Sequence, residues 1–113
     1  MRHLNKQKKF HRESAQRKAL MKALVTALIA HGKIKTTVAK AKALRPEIEK
    51  IITRAKTKNP HNLRLIRKTL SVGSTDKLFD EVAPRFAERK GGYTRVIKLG
   101  LRKSDSSQMA QIE

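Results

Sequence analysis

The side chains of this sequence that could perform acid–base or metal chemistry are its four histidines and nine acidic residues. No two histidines lie four residues apart and the chain has no cysteine, so the ligand spacing of a zinc site is missing. The sequence also has no Walker loop, Gly-x-Gly-x-x-Gly motif or nucleophile elbow. It therefore predicts a protein that is not an enzyme, with no cofactor, metal or small-molecule substrate. Structural or phosphate-side roles are expected for His3, His11, His31 and His61.

The basic residues are far more numerous, with 28 Lys+Arg against 9 Asp+Glu and a formal net charge of +19 in 113 residues. A free-standing soluble domain usually carries a net charge of magnitude roughly 2 to 8, and more like charge adds self-repulsion. A polyanionic partner is therefore predicted. Nucleic acid is the first candidate and an anionic membrane surface the second. Aromatic residues make up only 4% of the chain, so base stacking is not expected to be its main method of binding.

Length and composition favour one cytoplasmic domain. The chain has no room for a second core, and its lack of cysteine fits a reducing compartment. Its N-terminus lacks an apolar signal region, and no stretch approaches the ~20 apolar residues of a membrane span. The sequence thus predicts a protein that is neither secreted nor embedded in a membrane.

Residues 1–13 are predicted to form a basic extension that binds RNA, and residues 14–113 a single α/β domain. The extension has too few apolar side chains to offset its ordering entropy, so it is expected to order only on RNA. The alternative is a solubilising tail, which would not require so one-sided a charge. The candidate RNA-binding residues of the extension are Arg2, His3, Lys6, Lys8, Lys9 and Arg12.

The first half of the domain shows two amphipathic helices separated by a short strand. Ser14 is predicted to cap the first helix and Gly32 to end it. Residues 33–36 read as a strand, and Thr37 as the cap of a second helix that Pro46 kinks without breaking it. The two helices are predicted to bury apolar positions at i, i+3 and i+4 spacing, among them Leu20, Leu24, Leu28, Val25, Ile29, Ala41, Leu44, Ile48, Ile51, Ile52 and Ala55.

The second half is predicted to contain two shorter helices and a hairpin. Asn59-Pro60 opens the third helix, and Ser74 or Thr75 caps a fourth that is interrupted near Pro84. Asp76 would suit the positive N-terminal end of that fourth helix.

Gly91-Gly92 is predicted to form a turn before a strand over residues 93–101, which pairs with residues 108–113. Tyr93, Arg95, Ile97 and Leu99 would share one side of this strand, with Ile97 and Leu99 in the core. The order of elements predicts an α+β fold of two layers, with helices packed on a small three-stranded mixed sheet and a basic N-terminal extension.

Several short motifs resemble those of a known family. They are Met1-Arg2-His3, Ile34-Lys35-Thr36-Thr37 leading to Lys40-Ala41-Lys42, Leu78-Phe79, Pro84-Arg85-Phe86 and, most specific, Gly91-Gly92-Tyr93-Thr94-Arg95. In this order, and over nearly the whole length, the chain resembles the L17 family of bacterial large-subunit ribosomal proteins. The resemblance implies large-subunit ribosomal RNA and neighbouring ribosomal proteins as partners, near the outer opening of the nascent-chain exit tunnel.

Basic residues within the domain are the remaining candidates for RNA contact. The glycine turn could bring backbone amides to a phosphate, with Arg95 as a clamp and Tyr93 as either a 2′-hydroxyl contact or a core residue. The glycines suit a plain turn equally well. The predicted RNA-binding residues of the domain are Arg17, Lys18, Lys35, Lys40, Lys42, Arg89, Lys90, Tyr93 and Arg95.

Two other classes of protein remain as alternatives. A ribonuclease would rest on no recognisable motif, and RNA cleavage by the purified protein would reveal it. A DNA-compacting protein would need a dimeric or repeated surface to engage duplex grooves, whereas the basic extension suits threading between RNA helices. The sequence therefore predicts an RNA-binding structural protein of the ribosome.

Overall fold

The computed structural model of the chain describes residue 10 and residues 13–113, so most of the predicted extension lies outside the described residues. The elements follow the predicted order of helix, strand, helices and two strands. They are α1 (Ser14–His31), β1 (Ile34–Thr37), α2 (Val38–Ala55), α3 (Pro60–Arg67), α4 (Val72–Lys77), a π-helical segment (Leu78–Val82), α5 (Ala83–Arg85), β2 (Val96–Leu101) and β3 (Gln108–Ile112).

Helix α1 begins one residue before the predicted position. Glu13, not Ser14, is the cap, and its backbone N–H donates to Gln16 Oε1 at 3.4 Å. A glutamine at the third helical residue reaches back to the cap in this way, which leaves Ser14 inside the first turn. At the other end Gly32 has φ of 79° and donates its N–H to the Leu28 carbonyl at 2.8 Å, as predicted.

Helices α2 and α3 start at the predicted caps. Thr37 Oγ1 accepts the Lys40 N–H at 3.3 Å, and Asn59 Oδ1 accepts the Asn62 N–H at 2.8 Å. Helix α2 runs unbroken through the exposed Pro46. Of the stripe predicted to face the core, Val38 is only half-buried. The other predicted positions are buried and are Ala41, Leu44, Ile48, Ile51, Ile52 and Ala55.

The cap predicted for the fourth helix is wrong. Ser71, not Ser74 or Thr75, precedes the helix, and its Oγ accepts the Ser74 N–H at 3.4 Å. Thr75 is buried, and its hydroxyl donates to the Ser71 carbonyl at 2.7 Å, so it bonds one turn back instead of capping. Because the helix begins at Val72, Asp76 lies beyond the first turn and cannot serve the positive end as predicted.

The predicted interruption near Pro84 takes the form of the π-helical segment. The Ala83 N–H donates to the carbonyl of Leu78, five residues back. Proline has no N–H, and its ring would clash with the carbonyl four residues earlier, which here belongs to Asp80. The wider turn accommodates the proline while Leu78 and Phe79 stay buried in the core.

The sheet has the strand order β1-β3-β2, and both of its pairs are antiparallel. The prediction of a mixed sheet was therefore wrong: β3 lies between the other two strands, so β1 and β2 run in the same direction without pairing. Ile112 of β3 is opposite both Ile34 and Val96, and it is fully buried. Helix α2 packs on the sheet and contacts all three strands, which gives the two predicted layers.

The predicted face of β2 is also wrong, because Ile97 and Leu99 are 40% and 47% exposed instead of buried. Tyr93 and Thr94 are both buried although they are adjacent, so burial does not alternate in the segment before the strand. Val96 packs against the core, and residues 97–101 are all exposed. The pairing with β3 is irregular between Lys98 and Gly100.

Candidate nucleic-acid interface

An open groove of about 1160 Å³ lies between the N-terminal halves of α1 and α2. The other lining residues are Phe10 and Thr37, Lys68 and Thr69 after α3, and Ser107 and Gln108 of the β2–β3 hairpin. These segments are distant in the sequence, so the groove is a product of the tertiary fold.

Among the described residues, five basic side chains and a single acidic one, Glu47, line the groove. Lys18 and Lys22 are one helical turn apart on α1 and both are exposed. This concentration of positive charge is unfavourable without a counter-charge and raises the local concentration of anions. The basic side chains are Arg17, Lys18, Lys22, Lys42 and Lys68.

Apolar side chains also line the groove. Met21 and Val25 come from α1, and Val38 and Ile51 from α2. Val25 is 2% exposed and Ile51 is 8% exposed, while Met21 and Val38 are half-buried against the same core. The groove therefore has an apolar floor below its basic residues.

Arg17 has an unusual place among the basic residues. Its Nε atom is buried and has no hydrogen-bond acceptor within the part of the chain that the structure describes. A buried donor left unpaired costs free energy, which a ligand oxygen or nitrogen in the groove could recover.

Three of the predicted RNA-binding residues meet in the groove: Arg17, Lys18 and Lys42. Lys35 on β1 is exposed and Lys40 on α2 is half-buried, and neither lines it. The prediction omitted Lys22, although its spacing from Lys18 indicates the same helix face. It also omitted Lys68, for which local sequence gives no signal. The candidates in the extension lie outside the described residues and are Arg2, His3, Lys6, Lys8, Lys9 and Arg12.

The glycine turn forms a second basic region. Gly91 and Gly92 have φ of 98° and 62°, which side chains rarely adopt. Arg89, Lys90 and Arg95 around the turn are all exposed. The Arg95 side chain is 76% exposed and lies 3.9 Å from a carboxylate oxygen of Glu113, a distance typical of a weak surface pair.

Tyr93 packs in the core beside this turn and is 6% exposed. Its hydroxyl accepts hydrogen bonds from the Thr53 hydroxyl at 3.3 Å and the Lys56 ammonium at 3.2 Å, and its ring centroid lies 5.2 Å from that of Phe86. The hydrogen bond from Thr53 is the main cause that lowers the pKa of Tyr93, with a further contribution from Lys56. These contacts support the core role among the two roles predicted for Tyr93.

Among the described residues there is no group of three histidines or acids that could hold a metal ion. The described helices also include none that is long and apolar enough to cross a membrane.

The fold and its surface define a small, strongly basic α+β protein with a positively charged groove. The family model for ribosomal protein L17 matches residues 20–113. The chain therefore belongs to the ribosomal protein L17 family.

Three bacterial relatives, each named large ribosomal subunit protein bL17, match the whole chain. That of Akkermansia muciniphila is 50% identical over 114 residues, covering 100% of this chain and 84% of the relative. The Gemmatimonas aurantiaca protein is 50% identical over 114 residues, covering 100% of the chain and 97% of the relative. The Persephonella marina protein is 52% identical over 116 residues, covering 100% and 94%. The family membership confirms the predicted resemblance, the structural and non-enzymatic class and the cytoplasmic, ribosomal location.

Proposed function

We propose that this ribosomal protein is a structural constituent of the large subunit that binds and stabilises large-subunit ribosomal RNA. The observation that carries the proposal is the groove between α1 and α2, where five basic side chains converge in a chain of net charge +19. Phosphate groups neutralise such charges and release condensed counterions, which makes RNA a strong partner. The names of the bacterial relatives agree with the large-subunit part of this assignment.

The domain binds RNA by presenting fixed positive charges at defined places on its surface. The shape of the folded RNA determines where on the RNA the domain binds. Lys and Arg contacts to phosphates set affinity and orientation. The groove and the glycine turn are two such positions, and the basic residues of the extension add further charge. The proposed RNA-binding residues are Arg2, His3, Lys6, Lys8, Lys9, Arg12, Arg17, Lys18, Lys35, Lys40, Lys42, Arg89, Lys90 and Arg95, with Tyr93 holding the turn.

In the same proposal, the protein lies near the nascent-chain exit tunnel and contacts neighbouring ribosomal proteins. Both rest on the resemblance to the L17 family. Protein-to-protein cross-linking in purified large subunits identifies the neighbours directly.

Charge removal in the groove tests RNA binding. Replacing Lys18, Lys22 and Lys42 together by Gln should weaken binding to large-subunit RNA and flatten its salt dependence. Each lost phosphate contact lowers the slope of log K against log salt by about 0.7 to 0.9. The control replaces three exposed lysines outside the groove, Lys50, Lys98 and Lys103, and so removes the same net charge.

Two outcomes would contradict the proposal. Equal loss of affinity in the two triple variants would mean that net charge, not the groove, determines binding. Failure of the unaltered protein to sediment with the large subunit in ribosome fractionation would exclude the proposed role altogether.

A further inference from the structure

The apolar floor of the groove is not explained by phosphate binding. Phosphates and riboses are polar and would contact the basic side chains, while the apolar surface that the half-buried Met21 and Val38 present to the groove would remain without a partner of matching chemistry. An RNA duplex presents its phosphates outward and keeps the faces of its bases stacked inside. An unpaired base, by contrast, has two apolar faces and polar edges.

The groove is also larger than a row of phosphate contacts would require. Its volume of about 1160 Å³ is just above the range of about 300 to 1,000 Å³ that is typical of small-molecule sites. Phe10 also lines it with an aromatic side chain. A nucleotide with its base and ribose therefore fits the space between α1 and α2.

The buried Nε of Arg17 indicates the same kind of ligand. It is a donor without an acceptor among the described residues, and it lies on a residue that lines the groove. A base edge carries ring nitrogens and exocyclic oxygens that accept such a hydrogen bond. Charge and hydrogen bonding thus both point to a nucleotide.

We propose that this groove receives a single unpaired RNA nucleotide, with its base on the apolar floor, the edge of that base toward Arg17, and its flanking phosphates on Lys18, Lys22 and Lys42. The inference rests on the proposed function, since it takes RNA to be the partner. Removing a base from its stack costs least when the base is already unpaired, so a single-nucleotide bulge is the expected target. The groove would then recognise a defect in an RNA helix, not the helix alone.

The test compares three RNA hairpins with the same stem and loop. One is fully paired, one has a single-uridine bulge, and one has an abasic bulge at the same position. The full-length protein should bind the uridine bulge roughly tenfold more tightly than the other two at the same salt concentration, given the usual contribution of a stacked base. The abasic hairpin controls for added flexibility of the RNA.

Two tryptophan variants connect this preference to the groove. Ala39 lines the groove and is exposed, so Ala39→Trp should fill the space and bring the affinity ratio of bulged to abasic RNA close to one. Ala23 is exposed on α1 outside the groove, and Ala23→Trp should keep the wild-type ratio. If thermal melting shows that Ala39→Trp does not fold, Thr69→Trp blocks the groove from another segment.

The outcomes separate this inference from the proposed function. Equal, salt-dependent binding of all three hairpins would overturn the nucleotide site and leave RNA binding in place. A preference that Ala39→Trp and Ala23→Trp leave equally intact would also overturn it, because the groove would not be its source. Absence of binding to all three hairpins and to large-subunit RNA would instead overturn the proposed function.

Discussion

At the scale of single residues, the pKa of Tyr93 can be measured directly and reports on the hydrogen bonds around its hydroxyl. It is the only tyrosine and the chain has no tryptophan, so ultraviolet absorbance of tyrosinate reports this residue alone. Because hydrogen bonds from Thr53 and Lys56 favour the ionised form, Tyr93 should titrate below its ordinary pKa of 10.0. Thr53→Val, which removes the larger cause, should raise the midpoint. A midpoint at or above 10.0 in the unaltered protein would contradict the hydrogen bonding described.

The same shift has a consequence for stability at alkaline pH. A pKa that is lower in the folded chain than in the unfolded chain stabilises the fold where the group is ionised in both states. The contribution of Tyr93 is therefore fully present above about pH 10, and it is lost as the pH falls through the folded pKa. Comparing alkaline melting temperatures of the unaltered protein and Thr53→Val isolates this contribution.

Burial determines the cost of removing core side chains. Leu44 is 0% exposed, so Leu44→Ala should lower the free energy of unfolding by about 2 to 5 kcal/mol. Leu24, which the helical pattern also places inward, is only half-buried, so Leu24→Ala should cost less. Chemical denaturation of both variants measures the difference. Equal losses would indicate that α1 packs more tightly than the structure shows.

At the scale of elements, the start of α4 gives a matched pair of serine variants. Ser71→Ala removes the cap and should cost about 0.5 to 2 kcal/mol of stability. Ser74→Ala removes a hydroxyl within the helix that only contacts Ser71 Oγ at 3.2 Å, so it should cost less. Thermal melting of the two variants shows which serine contributes more to stability. A larger loss of stability in Ser74→Ala would indicate that Ser74 is the cap, as the sequence alone predicts.

Elements with local chemical signals could be predicted, and elements that depend on distant contacts could not. Thr37, Asn59 and Gly32 act through neighbours within four residues, so their roles were readable from the sequence. Strand order is different, because β3 must fold back between β1 and β2 before the direction of each pair is defined. The face of β2 was missed because an irregular register and two adjacent buried residues are set by tertiary packing.

In the candidate site, too, the sequence predicts the individual residues but not their arrangement in space. Arg17, Lys18 and Lys42 were predicted as basic residues on helices, but nothing in their spacing shows that α1 and α2 place them around one groove. Lys68 joins them from the segment after α3, and only the fold brings it there. Charge is thus visible in composition, whereas its convergence over an apolar floor requires the packed helices.

At the scale of the whole molecule, the buried core of the described residues runs from Val25 to Ile112. Because the sequence of residues 1–13 has few apolar side chains, stability and the charge of the extension should be separable. Replacing Lys6, Lys8, Lys9 and Arg12 together by Gln should weaken RNA binding while leaving the melting temperature almost unchanged. A small rise is consistent with the fold, since four positive charges leave a chain of net +19.

The matched control for the extension replaces Lys50, Lys58, Lys98 and Lys103 by Gln, four exposed lysines of the domain outside the groove. If the extension contributes specific contacts, its variant should compete poorly with unaltered protein for incorporation into large subunits, while the control competes better. Circular dichroism melting is measured for both. A melting temperature many degrees lower in the extension variant would show that the domain depends on residues 1–13 to fold. Incorporation at the level of the unaltered protein would show instead that the extension adds nothing to assembly, so that the charges of the domain suffice to hold the protein on its RNA.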